Sequence, residues 1–335
     1  MTVTIKDVAK KANVSPSTVS RVISDNPRIS EKTKKNVRKA MEELGYHLNY
    51  NARVLVQQKT KTIGIVMKKS SSDSLHDPFF PEVLRAISAY CNKVDYSIML
   101  TTGESEEEIY RDVVNMVRGK RVDGIIVTYS KQDDEVVQYL LESKFPFVLV
   151  GSPDKNESSI IYVDNDNVKA SEEATNHLIN KSHQNIGFIT NDLNYEVSIS
   201  RMKGYKQALI QQDLPIKEDF ILSLEGEENN SVLLNKYFNA NSRLSAVVVT
   251  DDYVATSVIR VCRERKIHIP NELSIISFNN SFIAEVSYPS LTSVDTQVFQ
   301  LGSEAAKCLI DEINEPSEYK KSIIIPTIIQ KREST

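Results

Sequence analysis

Hydroxyl side chains and a single arginine are crowded into one short segment near the N-terminus, Ser15-Pro-Ser-Thr-Val-Ser-Arg21. Ser15 followed by Pro16 predicts the beginning of a helix, because serine caps free backbone N–H groups and proline fits the first helical position. On a helix from Pro16 to about Ser24, the valines turn inward while the hydroxyls and Arg21 face outward. Since serine and threonine donate to base edges and phosphates and arginine reads guanine, this face suits the major groove of DNA.

Two further predicted helices flank this segment. Thr4 can cap a helix from Ile5 to Ala12, and a short break follows it. Ser30 can cap a third helix, Glu31 to Leu44, which Gly45 ends. Two short helices joined by a tight turn, with a third covering their apolar side, predict a helix-turn-helix unit. A generic three-helix bundle is the alternative.

The charge of the chain is distributed unevenly. Residues 1–62 contain 13 Lys+Arg and 5 Asp+Glu, a charge of +8, whereas the remainder carries −12. A basic head on an acidic body indicates that the head meets a polyanion and the body does not. Together with the helix pattern, this charge favours DNA as the partner over a chance surface distribution.

From residue 62 onward, short apolar strands alternate with segments of helical spacing. This alternation predicts an α/β body with parallel sheets covered by helices, and the number of strands over about 230 residues fits two sheets better than one. We expect Asp164-Asn165 and 289–296 to cross between two lobes, and a ligand to bind between them at the carboxyl ends of the strands. The predicted strands are Thr62–Met67, Tyr96–Thr101, Gly124–Thr128, Phe147–Gly151, Ile186–Thr190, Ile221–Leu224, Ala246–Thr250 and Ser274–Phe278.

Composition argues against several other classes of protein. Three widely spaced cysteines exclude a disulfide scaffold, and neither a signal peptide nor a membrane span is indicated, so a cytoplasmic protein is expected. Phosphate-binding loops and catalytic signatures are absent from the sequence, which argues against an enzyme and a cofactor. His76-Asp77 beside Asp73 is more typical of a solvated loop than of a metal site.

The segment Ile5-Lys-Asp-Val-Ala-Lys-Lys-Ala-Asn-Val-Ser-Pro-Ser-Thr-Val-Ser-Arg-Val-Ile23 resembles the signature of the LacI/GalR family of bacterial regulators. The resemblance implies that Pro16, Ser17 and Arg21 meet base edges. It places three other side chains near phosphates, namely Thr18, Ser20 and Asn26. The predicted DNA surface also includes Thr4, Ser15 and Tyr46.

The segment 49–58 is similar to the hinge helix of the same family, although a mere linker is the alternative. In relatives, the leucine at the position of Leu55 wedges into the central base step of the minor groove, and Asn51 and Ala52 belong to the same surface. Leu48 stands where a proline is usual. The entry into the hinge is therefore expected to be less rigid here.

The body resembles periplasmic sugar-binding proteins, as expected for this family. The supporting motifs are Asp77-Pro-Phe-Phe80, Arg121-Val-Asp-Gly124, His177-Leu-Ile followed by His183, Arg201-Met-Lys-Gly204 and Pro289-Ser-Leu-Thr-Ser293. The resemblance implies a cleft whose arginine grips sugar oxygens and whose other members pack on or bond to the ligand. The implied effector residues are Asp77, Phe80, Tyr129, Arg201, Asp251 and Asn279.

Each of these effector positions has a purely structural alternative. Asp251 could cap the following helix, Phe80 could belong to the core, and Arg201 could pair with a carboxylate. Asn279 replaces the usual aspartate, which argues against a cationic ligand. Gly151 replaces an aspartate found in some sugar-binding members, and this leaves room for a second sugar ring.

Within the family, Asn279-Asn280-Ser281 together with Gly151-Ser-Pro153 looks most like the maltose-operon repressors of Gram-positive bacteria. The expected function is therefore a homodimeric repressor that maltose or a maltodextrin releases from operator DNA. The alternatives are a regulator of another sugar, a purine-type regulator activated by a corepressor, and a sugar-binding protein without regulatory role. The sequence does not decide whether a protein coregulator takes part. No membrane partner is expected. The expected domains are 1–48 for DNA binding, 49–61 for the hinge, and 62–335 for the effector body, with lobe 1 at 62–163 and 294–318 and lobe 2 at 164–290 and 322–331.

Overall fold

The fold is described from a computed structural model, for residues 3–46, 59–67, 75–224 and 230–335. The chain forms two compact units, Met1–Thr60 and Lys61–Thr335, and each is described by itself. The predicted hinge, 49–61, falls mostly outside the described residues, so its boundaries stay a prediction. Among the described residues, no helix is long and apolar enough to cross a bilayer.

Residues 3–46 of the N-terminal unit form three helices, α1 (Ile5–Ala12), α2 (Pro16–Ile23) and α3 (Glu31–Leu44). The side chain of Asp7 accepts hydrogen bonds from the backbone N–H and the hydroxyl of Thr4, at 2.8 and 2.7 Å. The hydroxyls of Ser15 and Ser30 accept bonds from the backbone N–H groups at the beginnings of α2 and α3. These local signals fix the helix boundaries, and the predicted helix-turn-helix unit is confirmed.

Small and β-branched side chains form the core of this unit. They allow the three short helices to approach closely, and the apolar faces that the periodicity predicted are the buried ones. The fully buried members of this core are Val8, Ala9, Ala12, Val19, Val22, Val37 and Ala40.

The described residues of the body form two six-stranded sheets. The first sheet has the strand order β11-β5-β4-β3-β1-β2 and the second β12-β10-β9-β8-β6-β7. Every pairing is parallel except that of β10 with β12. The strands are β1 (Thr62–Val66), β2 (Ser97–Leu100), β3 (Gly124–Val127), β4 (Phe147–Val150), β5 (Ile161–Asn165), β6 (Ile186–Thr190), β7 (Ile221–Ser223), β8 (Ala246–Val249), β9 (Ser274–Phe278), β10 (Thr292–Asp295), β11 (Ser322–Ile325) and β12 (Ile328–Gln330).

Helices cover both faces of each sheet, as parallel strands require. Apolar side chains of the sheets and helices form two core clusters in each lobe. The helices are α4 (Phe79–Lys93), α5 (Glu106–Arg118), α6 (Glu135–Glu142), α7 (Asn167–Asn180), α8 (Glu196–Gln211), α9 (Asn230–Ala240), α10 (Asp252–Glu264), α11 (Phe282–Val286) and α12 (Val298–Asn314).

The predicted α/β body with two parallel sheets is confirmed, and all eight predicted strands occur within one residue at each end. Four strands were missed: β5, β10, β11 and β12. They are short and carry polar residues, as in Thr292-Ser-Val-Asp295, so alternation and hydrophobicity do not reveal them.

The chain crosses between the sheets three times, after β5, after β10 and after β11. The sequence predicted the first two crossings but assigned 322–331 to lobe 2, and this assignment is wrong for β11, which pairs with β5 of lobe 1. Likewise 294–295, predicted for lobe 1, lies in β10 of lobe 2. When an edge strand comes from a distant part of the chain, its local sequence does not indicate which sheet it joins.

The close packing of α7 against α8 depends on Gly204. A β-carbon at this position would lie 2.0 Å from the carbonyl oxygen of Val168 and 2.9 Å from the backbone nitrogen of Glu172. Because both obstacles are backbone atoms, the helices would have to separate. We therefore expect Gly204→Ala to lower the free energy of unfolding, measured by urea titration, by ~1–3 kcal/mol.

The matched control is Lys203→Ala, an exposed residue on the same helix. It should change the free energy of unfolding by no more than ~0.5 kcal/mol. Equal stabilities of the two variants would show that the helices do not need this close approach.

Candidate functional sites

The exposed face of α2 presents the side chains that the sequence proposed for base contact. Pro16, Ser17 and Arg21 are exposed, and the hydroxyl of Ser15 lies 2.8 and 2.9 Å from the hydroxyls of Ser17 and Thr18. This hydroxyl cluster surrounds the beginning of the helix, where free N–H groups favour anions. The surface thus combines an arginine, hydroxyl donors and a helix N-terminus.

The other predicted DNA residues take more varied positions. Thr4 is exposed and bonded to Asp7, while Ser20 and Thr18 are half-buried on α2. Asn26 accepts a hydrogen bond from the backbone N–H of Arg28 at 2.9 Å, which shapes the turn after α2. Tyr46 packs partly against the core of the unit. Asn51, Ala52 and Leu55 lie outside the described residues.

Two basic side chains of α3 form ion pairs within the N-terminal unit. Lys34 is buried and lies 3.0 Å from a carboxylate oxygen of Asp25, and Arg38 donates to the same carboxylate at 2.9 Å. The hydrogen bond from Lys34 holds the pKa of Asp25 below its usual range. These cations therefore hold the turn after α2 in place.

The second site is centred on Arg201, near the beginning of α8 in lobe 2. Its side chain is only 5% exposed. The Nε atom donates to the Oδ1 atom of Asn167 at 2.9 Å, and Nη1 donates to the carbonyl oxygen of Thr250. The guanidinium also lies 4.2 Å from the ring centroid of Phe278, at the end of β9. The cation is thus fixed in direction before any ligand arrives.

Four carboxylates act on this guanidinium. Burial lowers the pKa of Arg201 to about 10, while Asp251, Asp164, Asp252 and Asp77 oppose this shift. Arg201 therefore remains charged near neutral pH. These carboxyl groups outnumber the guanidinium, which disfavours an anionic ligand, and burial raises the pKa of Asp251, Asp164 and Asp252 above the usual aspartate range.

Asp251 has the capping role considered for it, while its role as an effector residue stays a prediction. Its Oδ1 atom accepts a hydrogen bond from the backbone N–H of Val254 at 2.6 Å, so it caps α10. Burial, followed by the nearby charge of Asp77, raises the pKa of Asp251 above its usual range. Because Asp77 belongs to lobe 1 and Asp251 to lobe 2, the structure brings predicted residues of both lobes together around Arg201.

The two predicted aromatic residues have different surroundings. Phe80 is 8% exposed and meets Phe79 edge to face, with the ring centroids 5.4 Å apart. Tyr129 of lobe 1 meets Tyr195 of lobe 2 edge to face at 6.2 Å. Next to this pair, the backbone N–H of Glu196 donates to the carbonyl oxygen of Ser130 at 3.1 Å. Tyr129 therefore forms part of a contact between the lobes.

Asn279 follows β9 with a left-handed backbone, φ 92°, and its Oδ1 atom accepts from the hydroxyl of Thr296 at 3.3 Å. Gly151 also has a positive φ, 115°, and a β-carbon there would lie 3.1 Å from that of Ser130. The backbone thus favours glycine at 151 independently of any ligand.

Sequence reasoning missed Asn167, Asp164 and Asp252. The polar run Asp164-Asn-Asp-Asn167 after a strand is a signal that could have indicated the first two. Asp252 is 1% exposed and accepts hydrogen bonds from the hydroxyls of Ser277 and Ser293, at 2.5 and 2.7 Å. Its partners lie 25 and 41 positions away, so no local pattern reveals it.

A cavity of about 320 Å³ lies elsewhere, beside α6 in lobe 1. Its lining includes Lys131, Asp134, Val137 and Lys155, and none of the six predicted effector residues belongs to it. The position of the candidate effector site therefore rests on the charged residues around Arg201 and not on cavity volume.

Comparison with known proteins identifies the family. A model described as "Bacterial regulatory proteins, lacI family" matches residues 4–49, and one described as "Periplasmic binding protein-like domain" matches residues 175–335. The HTH-type transcriptional regulator MalR of Staphylococcus xylosus is 36% identical, over 99% of this chain and 98% of its own. The helix-turn-helix unit and the two-lobed body together define a DNA-binding regulator. The chain belongs to the LacI family of bacterial transcriptional regulators, and it is a regulator rather than an enzyme.

Solved structures agree with this fold. The probable maltose operon transcriptional repressor of Staphylococcus aureus has a TM-score of 0.77 and 28% identity, over 82% of this chain and 98% of that one. A complex of the transcriptional regulator CelR with cellobiose has a TM-score of 0.77 and 26% identity, over 99% of this chain and 100% of that one.

The raised pKa of Asp251 has a measurable consequence for stability. An acid with a higher pKa in the folded than in the unfolded protein binds more protons when folded, so its contribution falls as pH rises. The loss falls between ~4, the ordinary aspartate pKa, and the raised value. We expect Asp251→Asn, which still caps a helix, to lose less unfolding free energy than the wild type between about pH 5 and about pH 7.5.

The control is Asp95→Asn, which changes an exposed carboxylate at a left-handed position that asparagine also tolerates. Its pH dependence should follow the wild type. If Asp251→Asn follows the wild type as well, the Asp251 carboxylate is not held in an unfavourable buried position.

Proposed function

We propose that the protein is a repressor of a sugar-utilisation operon, and that maltose or a maltodextrin releases it from its operator. The observation that carries this proposal is the fixed Arg201 guanidinium beside the ends of β8 and β9, on which the charges of Asp251 of lobe 2 and Asp77 of lobe 1 both act. Guanidinium N–H groups donate to sugar oxygens, and carboxylates accept from sugar hydroxyls. The surplus of carboxylates favours an uncharged polyhydroxyl ligand over an anionic one.

The relatives support a sugar rather than another neutral ligand. One solved neighbour is named as a probable maltose operon repressor, and another was solved with cellobiose, a sugar of two glucose rings. The small Gly151 at the end of β4 is compatible with a second ring. A purine-type regulator, the alternative, shares this fold, but its corepressor would strengthen operator binding instead.

We propose that the exposed face of α2 enters the major groove, where Pro16, Ser17 and Arg21 contact base edges. The phosphate contacts would come from Thr18, Ser20 and Asn26, and the proposed DNA surface also includes Thr4, Ser15 and Tyr46. Asn51, Ala52 and Leu55 would form the minor-groove contact. A regulator of bacterial DNA works in the cytoplasm, which is where we place this chain.

A homodimer is the proposed assembly, with half-sites about one helical turn (~10 bp) apart. Two exposed apolar surfaces of the body support it. Ile98 and Leu100 are 37% and 38% exposed on β2, an edge strand, whereas Phe282, Val286 and Tyr288 are 66%, 72% and 81% exposed on and after α11. Exposed apolar side chains grouped in this way are typical of protein interfaces.

We expect Arg21→Ala to reduce the preference for operator over random DNA by ~1–3 kcal/mol, because a guanidinium that reads guanine is lost. Fluorescence anisotropy at fixed salt measures both affinities. The control Arg28→Ala removes another exposed cation, outside α2, and should weaken binding to operator and to random DNA by the same factor. Equal losses on both DNAs for Arg21→Ala would contradict base reading.

Arg201→Ala should abolish the response to maltose while leaving operator affinity unchanged, because we assign the guanidinium to the effector site of the body and not to the DNA-binding surface. Calorimetric titration with maltose measures binding, and anisotropy measures operator affinity. Arg201→Lys, which retains the charge but not the fork of donors, should also lose maltose affinity. The control Lys203→Ala should respond like the wild type, whereas full release of Arg201→Ala by maltose would move the site elsewhere.

A further inference from the structure

One side-chain amide joins all three chain crossings between the lobes. Asn165, the last residue of β5, is 4% exposed. Its Nδ2 atom donates to the carbonyl oxygens of Thr296 and Ile325, at 3.1 and 2.9 Å. Thr296 follows β10 in the second crossing, and Ile325 ends β11 at the third. A rotation of the lobes therefore has to act on these two hydrogen bonds.

The neighbours of Asn165 lead directly to the guanidinium. Asn167 accepts from Nε of Arg201 at 2.9 Å, and its Nδ2 atom donates to Oδ1 of Asp164 at 2.9 Å. The same Oδ1 atom accepts from the backbone N–H of Asn165 at 2.7 Å. Asp164 also accepts from the backbone N–H and hydroxyl of Ser152 in lobe 1, at 2.8 and 2.7 Å. Three residues, Asp164, Asn165 and Asn167, thus connect Arg201 in lobe 2, a loop of lobe 1 and the crossings.

We propose that residues 164–167 form a coupling segment, in which Asn167 positions Arg201 for the effector and Asn165 transmits that position to the angle between the lobes. This inference rests on the proposed function, because it assumes an effector that engages Arg201. Asn165 and Asn167 are buried, and both donate to the half-buried carboxylate of Asp164, so a change at one of these side chains affects the others. A hydrogen-bond network of this kind can carry coupling between a site and a hinge.

The chain offers a matched control in the same region. Nε2 of Gln297 donates to the carbonyl oxygen of Pro326 at 2.7 Å, which joins the second and third crossings at an exposed position. This bond involves neither Asn165 nor Asn167. Gln297→Ala therefore removes a hydrogen bond between crossings while preserving the coupling segment.

The first experiment separates effector binding from the response in the full-length protein. Calorimetry gives the dissociation constant for maltose, and anisotropy gives the factor by which saturating maltose weakens operator binding. Asn165→Ala should keep maltose affinity within ~3-fold and reduce the weakening factor by ~10-fold or more. Asn167→Ala should instead weaken maltose binding by ~10-fold or more, because the guanidinium of Arg201 loses the hydrogen bond that orients it. Gln297→Ala should behave like the wild type in both measurements.

A second experiment needs no ligand. Spin labels on Glu142→Cys in lobe 1 and Lys203→Cys in lobe 2, both exposed positions, report the distribution of distances between the lobes. The native cysteines are buried and do not compete for the label. The distribution should broaden in Asn165→Ala and stay narrow in Gln297→Ala. Asn165→Ser, which retains one donor, gives an intermediate width and serves as the second variant if the alanine variant is unstable.

The outcomes are distinguishable. If the wild type does not bind maltose, the sugar assignment fails, and the spin-label distances still decide whether Asn165 holds the crossings. A wild-type response and an unbroadened distribution in Asn165→Ala would overturn the inference. Loss of maltose binding in Asn165→Ala, or equal uncoupling in Gln297→Ala, would also overturn it, because coupling would then not be specific to the segment.

Discussion

A buried cation that must stay charged is the constraint around which the body is organised. Placing the guanidinium of Arg201 at 5% exposure is costly unless its donors are paired and opposite charges are near. Asn167, the carbonyl oxygen of Thr250 and the ring of Phe278 provide the partners, and four aspartates provide the charge. Since these groups come from several strand ends and from both lobes, the guanidinium requires both sheets to be in place.

The same constraint explains how ligand chemistry could reach the DNA-binding unit. Under the proposed function, a neutral sugar that bonds to the guanidinium and the nearby carboxylates would change the balance of interactions between the lobes, because Asp77 lies in lobe 1 and Asp251 in lobe 2. A coupling of ~3 kcal/mol, roughly 150-fold in operator affinity, would suffice for a regulatory response. Interactions of this size are available from a few charge-assisted hydrogen bonds.

Local signals made much of the fold predictable. Ser15-Pro16, Ser30 and Gly45 mark helix ends through their own backbone preferences, and apolar runs mark eight of the twelve strands in the described residues. The remaining features depend on contacts between distant residues. The amide of Asn165 bonds to carbonyl groups 131 and 160 positions away, and β11 joins a sheet whose other strands end at 165. The family resemblance pointed to Arg201 and Asp251, and the polar run that ends β5 could have pointed to Asn167. Asp252 acts through partners that sequence spacing does not indicate.

The most direct test is the anisotropy of a labelled DNA fragment from upstream of the protein's own gene, at fixed salt, with and without maltose and maltotriose. The account predicts tight binding that one of these sugars releases, because a neutral sugar in the cleft shifts the angle between the lobes. Tight binding that neither sugar disturbs, or that either sugar strengthens, would contradict it.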